Sequence, residues 1–106
     1  MRYRFMRVLV FFDLPVETYE DKRQYRVFRE FLVKNGFIMM QKSIYYKIAL
    51  NPQIANSIKT VVKQNLPKNG AVQLLCVTEK QFASIDYLLG DKNTDIVDSE
   101  NRLVEL

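Results

Sequence analysis

Arg7-Val8-Leu9-Val10-Phe11-Phe12-Asp13-Leu14-Pro15 is the stretch that decides how this chain folds. Five consecutive apolar residues, Val8 to Phe12, are nearly all β-branched or aromatic. They predict a strand over residues 6–12 that is covered on both faces. Pro15 has no amide hydrogen to give to a ladder, so the strand stops near Asp13. A lone carboxylate therefore stands at the carboxyl end of a central strand, just before a basic helix. Sheets present functional groups at such places. An Asp before Leu-Pro also suits a turn, with its side chain capping nearby backbone. Local context leaves both readings open.

The chain on either side supplies alternating helices and strands. Thr18 with Asp21 three residues on resembles a capping box, and Glu17, Glu20 and Asp21 complement the positive end of a helix dipole. A helix is predicted from there to Asn35, with Gly36 just past its end. At 100° per residue Tyr25, Phe28 and Leu32 share one face, extended by Phe31. Lys22, Arg26 and Arg29 form a stripe beside that face, which reads as a phosphate-binding edge or as a solvated flank. Residues 37–41 and 43–50 read as adjacent strands, with a weak hairpin signal at Lys42-Ser43. Asn51-Pro52 opens a second helix over residues 52–65, with Ile54, Ile58, Val61 and Val62 inward and Lys59 and Lys63 away from that face. Residues 71–77 read as another central strand. Thr78 caps one short turn over Glu79–Ala83. Residues 85–89 then read as a short strand, and 102–106 as a last strand that docks on an edge of this sheet or of a partner's.

Strand, helix, strand, strand, helix, strand is the split βαβ, or ferredoxin-like, order. The expected fold is thus α+β, βαββαβ with an extra C-terminal strand. Residues 1–93 form the domain and residues 94–106 an acidic tail. Both helices fall on one face of an antiparallel sheet, and a homodimer is the simplest cover for the other.

Composition narrows the chemistry. The chain has 106 residues, a formal net charge of +4, one cysteine and no histidine. Histidine-based general bases, Ser-His and Cys-His dyads and the common zinc sites are excluded. Any metal must be held by oxygen, which points to magnesium, manganese or calcium. Residues 1–80 carry fourteen Lys and Arg against six Asp and Glu, whereas residues 81–106 carry two against six. A basic body suggests a polyanionic partner and the acidic tail a different contact, unless the tail is merely solvated. No run is long enough for a membrane span, and Met1-Arg2-Tyr3-Arg4-Phe5 does not read as a signal peptide. A single Cys76 within an apolar run fits a buried thiol and a cytoplasmic location. There is no glycine-rich phosphate loop and no carboxylate pair within one strand or helix. Asp13 alone is a poor magnesium site, although a two-fold axis could bring two copies of it together.

Several motifs in this order resemble one family. They are Phe12-Asp13-Leu14-Pro15, Tyr25-Arg26-x-Phe28-Arg29 with Arg23 on the same helix, Asn35-Gly36-Phe37, Gln41-x-Ser43-x-Tyr45, Thr78-Glu79-Lys80-Gln81-Phe82 and Gly90-Asp91-Lys92-Asn93. The chain resembles the CRISPR-associated "Cas two" family, the small dimeric subunit of the spacer-acquisition complex, and is most similar to its type II-A branch. The resemblance implies a ferredoxin-like homodimer that bridges two integrase dimers and lies against incoming double-stranded DNA. Asp13 matches the aspartate credited with Mg2+ binding in a metal-dependent endonuclease activity reported for some members.

The function expected is therefore a nucleic-acid-binding scaffold of CRISPR adaptation that also acts as a magnesium-dependent endonuclease on RNA or DNA, with Asp13 as metal-holding and catalytic residue. Lys22, Arg23, Arg26 and Arg29 are the candidate phosphate contacts, with Lys59 and Lys63 secondary. Arg102, Leu103, Val104, Glu105 and Leu106 are the candidate partner-binding strand, and single-stranded RNA is a second candidate ligand. A toxin-type ribonuclease of the same fold and a non-enzymatic ferredoxin-like binding domain are the alternatives.

Overall fold

The computed structural model describes residues 5–90. The tail 94–106, the boundary at residue 93, the expected strand at 102–106 and the five partner-binding candidates within it lie outside the described residues.

Strand β1 (Met6–Asp13) is followed by helix α1 (Tyr19–Lys34), strands β2 (Ile38–Gln41) and β3 (Ile44–Ala49), helix α2 (Pro52–Lys63), strand β4 (Ala71–Thr78) and the short helix α3 (Glu79–Ala83). The four strands form one antiparallel sheet in the order β2-β3-β1-β4. This is the ferredoxin-like α+β arrangement that the order of elements implies.

Local chemistry explains the boundaries. The Thr18 hydroxyl accepts from the Asp21 amide at 3.0 Å, and the Asp21 carboxylate accepts from the Thr18 amide at 3.1 Å. The first turn of α1 thus satisfies two donors that would otherwise be orphaned. At the other end, Lys47 Nζ donates to the Asn35 carbonyl at 2.6 Å, placing a cation where helix carbonyls are unpaired. Asn51 caps α2 through Ile54 N at 2.8 Å, with Pro52 as the first helical residue.

Alternation along β1 sorts the sheet into two faces. Val8, Val10 and Phe12 point to the helices, where they join Phe28 and Leu32 of α1, Ala55, Ile58 and Val62 of α2, and Tyr45 of β3 in the core. Phe12 meets Phe28 edge-on at 5.3 Å, Tyr25 at 5.9 Å and Tyr45 in a stacked contact at 5.8 Å. Such pairs add to the burial term. Arg7, Leu9, Phe11 and Asp13 take the opposite face, beside Ile44 and Tyr46 of β3 and Ala71, Gln73, Leu75 and Val77 of β4.

That second face is partly covered within the chain. Phe82 of α3 packs on Tyr46 at 5.3 Å. The Arg7 guanidinium lies 4.1 Å from the Phe82 ring centre and 4.9 Å from that of Tyr46, and pairs with Glu79 through two hydrogen bonds of 2.5 and 3.2 Å. Among the described residues the rest is an apolar groove of about 240 Å³ lined by Leu9, Phe11, Ile44, Leu75, Phe82 and Ile85, among others.

Two expectations are corrected. Residues 71–77 do form a strand, but β4 is an edge of the sheet among the described residues, not a central strand. Its alternately exposed side chains show one covered face, and its apolar outer face is what made it read as central. Residues 85–89 are not a strand. Ser84 and Ile85 amides turn back to the carbonyls of Gln81 and Phe82, and Leu88 and Leu89 are exposed, so no ladder forms.

Gly70 fixes the approach to β4. Its φ is +99°, and a Cβ there would stand 2.7 Å from the Asp13 carbonyl oxygen and 2.8 Å from Leu14 Cδ2. Gly90 has a similar φ of +89° with nothing within 4 Å among the described residues. Gly70→Ala is expected to lose more than about 1–2 kcal/mol, because the backbone strain of a side chain at positive φ is joined by a clash. Gly90→Ala should lose less. Urea unfolding of the two variants checks the order.

Candidate functional site

Asp13 is the last residue of β1, and its side chain is exposed on the face opposite α1 and α2. It lines an open cavity of about 280 Å³ with Phe11, Phe12, Ser43, Ile44, Ala71 and Gln73. The backbone explains the space. Asp13 pairs with Ala71 on β4, whose methyl group leaves room, and the Phe12 amide donates to the Ser43 carbonyl at 3.0 Å, bringing the β2–β3 turn alongside. Among the described residues the Asp13 carboxylate has no hydrogen-bond or ion-pair partner. It is therefore not a side-chain cap, as the turn reading would require.

The donor set suits a hard cation only in part. No group of three or more His, Cys, Asp or Glu side chains gathers among the described residues. One unpartnered oxygen donor fits magnesium held by a single carboxylate, waters and a ligand's phosphates, and does not fit a closed protein cage.

The basic candidates do not converge on Asp13 or on one another. Lys22, Arg26 and Arg29 are exposed on α1 and make no ion pair among the described residues. The helical wheel puts them on the flank opposite Gln24 and Phe31. Phe31 lines the cleft shared with Ile54, Ser57 and Val61 of α2, and Gln24 accepts from the Lys68 amide just beyond that helix. The stripe therefore faces away from α2. Lys59 and Lys63 are also exposed, and the same wheel places them on the flank of α2 away from that cleft. One chain thus carries two basic lines on the outer edges of its helical layer, while Asp13 lies beyond the sheet.

Arg23 differs from its neighbours. Its guanidinium donates twice to the Glu20 carboxylate, at 3.1 Å in each contact. The Arg23 hydrogen bond, then that from Gln24, lowers the Glu20 carboxyl from 4.5 to about 2, and Glu20 in turn raises the Arg23 pKa. Arg23 is thus already engaged, which weakens its claim to a phosphate.

Two residues outside the expected set shape the region. Arg7 holds α3 on the sheet, through a partner 72 positions away that no local pattern could reveal. Gly70 abuts Asp13, and the Asn69-Gly70 pair signalled only a turn.

The fold defines a small ferredoxin-like α+β protein with a carboxylate at the end of its first strand. The family described as CRISPR associated protein Cas2 matches residues 6–85. The CRISPR-associated endoribonuclease Cas2 of Treponema denticola is 48% identical over 101 residues, covering 95% of this chain and 100% of that protein. The protein of the same name from Streptococcus mutans is 46% identical over 101 residues, covering 95% and 93%. That from Flavobacterium psychrophilum is 32% identical over 105 residues, covering 99% and 90%. The chain belongs to the CRISPR-associated Cas2 family. No helix among the described residues is long and apolar enough to cross a membrane.

The Glu20–Arg23 pair sets a pH dependence. Because the folded carboxyl titrates near 2 and its ordinary value is 4.5, the pair's contribution is complete above pH 4.5 and is lost as pH falls toward 2. The pair is exposed, so the effect on stability is small. Carboxyl NMR titration should place the Glu20 midpoint near 2, and Arg23→Ala should return it toward 4.5.

Proposed function

We propose that the protein is a dimeric nucleic-acid-binding scaffold of CRISPR spacer acquisition, bridging integrase dimers and lying against double-stranded DNA. The observation that carries this reading is the pair of basic lines, Lys22, Arg26 and Arg29 on one edge and Lys59 and Lys63 on the other, exposed and without intramolecular ion pairs among the described residues. Side chains not engaged in an ion pair are available to phosphates, whose contacts position a duplex without reading its sequence. Membership of a CRISPR-associated family supports the biological setting. In this scheme the second copy covers the apolar groove, and the acidic tail with Arg102 to Leu106 serves the integrase.

A second activity is favoured by Asp13 and by the endoribonuclease name of the relatives. Asp13 would hold Mg2+, which when bound polarises a phosphate oxygen and lowers the pKa of a water. The chain's own part is to leave the carboxylate unpaired, to turn it to the outer face at the end of β1 through the anchoring of Phe12, and to leave room over Ala71 for a strand of nucleic acid. A two-fold related copy would bring a second Asp13 and complete the usual one or two carboxylates.

One set of preparations tests both activities. Log affinity for duplex DNA should fall with log salt by about 0.9 per phosphate neutralised, and the doubly substituted Arg26→Ala, Arg29→Ala protein should show a flatter slope. Arg23→Ala should change the slope less. An unchanged slope in the double variant makes the stripe a solvated flank. Asp13→Asn should abolish magnesium-dependent cleavage while spacer integration and folding persist. Loss of integration in a folded, partner-binding Asp13→Asn protein would make the metal site central and sink the scaffold.

A further inference from the structure

The open face of the sheet is not uniformly apolar. Along β4 the outward row reads Ala71, Gln73, Leu75, Val77, and along β1 it reads Arg7, Leu9, Phe11, Asp13. Gln73 is thus the one polar side chain in the β4 row, and it is exposed. It pairs with Phe11, so Asp13 is its diagonal neighbour on the same face. Diagonal neighbours across an antiparallel pair stand about 7–8 Å apart, within reach of a long side chain. Ala71, directly opposite Asp13, leaves the space between them open, and all three line the same cavity of about 280 Å³ with Ser43.

Two further facts separate Gln73 from a stray polar residue. Its carboxamide has no hydrogen-bond partner among the described residues, so donors and acceptor are both free. Among the described residues no Lys or Arg lines this cavity. A cation there would pair with Asp13 and cancel the charge that a metal ion needs. A neutral donor holds a phosphate beside a carboxylate without that loss.

We propose that Gln73, assisted by the Ser43 hydroxyl, is a substrate-contacting residue for an RNA strand laid across Ala71. Its N–H donates to a phosphate oxygen next to Asp13, and its carbonyl oxygen accepts from a ribose 2′-hydroxyl. The second contact distinguishes RNA from DNA. The inference rests on the nuclease reading of Asp13 and assigns the residue that would select its substrate.

The test is binding, so it does not depend on turnover. Fluorescence anisotropy of a labelled single-stranded RNA and of the DNA of the same sequence is measured with the full chain carrying Asp13→Asn, in EDTA. Adding Gln73→Leu, close in size and unable to hydrogen-bond, should weaken RNA binding about three- to tenfold, the usual worth of a neutral hydrogen bond or two, and DNA binding by less. Gln73→Glu should weaken both, because it sets a negative charge against phosphate. Unchanged RNA affinity in Gln73→Leu overturns the proposal, as does an equal loss for RNA and DNA or no RNA binding by the parent. Sedimentation of the same samples adds a check: an affinity loss that follows a change in assembly mass assigns Gln73 to contacts between copies and also overturns it. Cleavage by the wild-type chain in magnesium is scored separately. A Gln73-dependent RNA affinity without cleavage supports this site and sinks the nuclease reading, and cleavage with Gln73→Leu binding unchanged does the reverse.

Discussion

The anchoring of Phe12 governs everything on the other side of the sheet. Its ring is held by Phe28, Tyr25 and Tyr45, and it is buried at 5% exposure. Because side chains in a strand alternate, a fixed Phe12 fixes Asp13 outward. A slip of one residue would carry the carboxylate into an apolar core at prohibitive cost and expel the ring. The face on which the candidate metal-binding group stands is therefore a by-product of core packing, set without any hydrogen bond to the carboxylate itself among the described residues.

The same alternation leaves a second surface to be managed. Leu75 is 52% exposed, Ile48 48% and Ile38 46% on the face away from the two long helices. The chain answers in part with α3, a five-residue helix that could not persist alone and is held by its Thr78–Gln81 capping box and the Arg7 clamp. Arg7 suits this task because a planar guanidinium stacks on aromatic rings while its edge binds a carboxylate. What α3 leaves uncovered is the groove that the proposed second copy would fill, next to the polar end formed by Asp13, Ser43 and Gln73.

Much of this was legible in the sequence because it is written in local chemistry. The apolar run before Asp13, the Thr18 box, Asn51-Pro52 and the turn capped by Thr78 each depend on residues within four positions of one another. What failed depends on distant partners. An apolar strand reads alike at the centre of a sheet and at an edge whose outer face needs cover, so the residues of β4 alone do not tell the two apart. Residues 85–89 have strand-forming side chains, yet no ladder takes them up. The periodicity of α1 and α2 gave the basic stripes their position relative to the core. It could not say which flank faces the neighbouring helix, and so could not show that the two stripes lie on opposite edges. Arg7 with Glu79, and Gly70 against Asp13, are contacts that only the assembled fold reveals.

The central claim is that the face bearing Asp13 is completed by a second copy of the chain, and sedimentation equilibrium tests it most directly. At micromolar concentration the wild-type protein should show twice its mass of 12.6 kDa, and Leu75→Glu, which adds charge to the exposed groove, should shift it to the single-chain mass while the fold persists. A wild-type protein of single-chain mass across that range, or a Leu75→Glu dimer as stable as the parent, would contradict it.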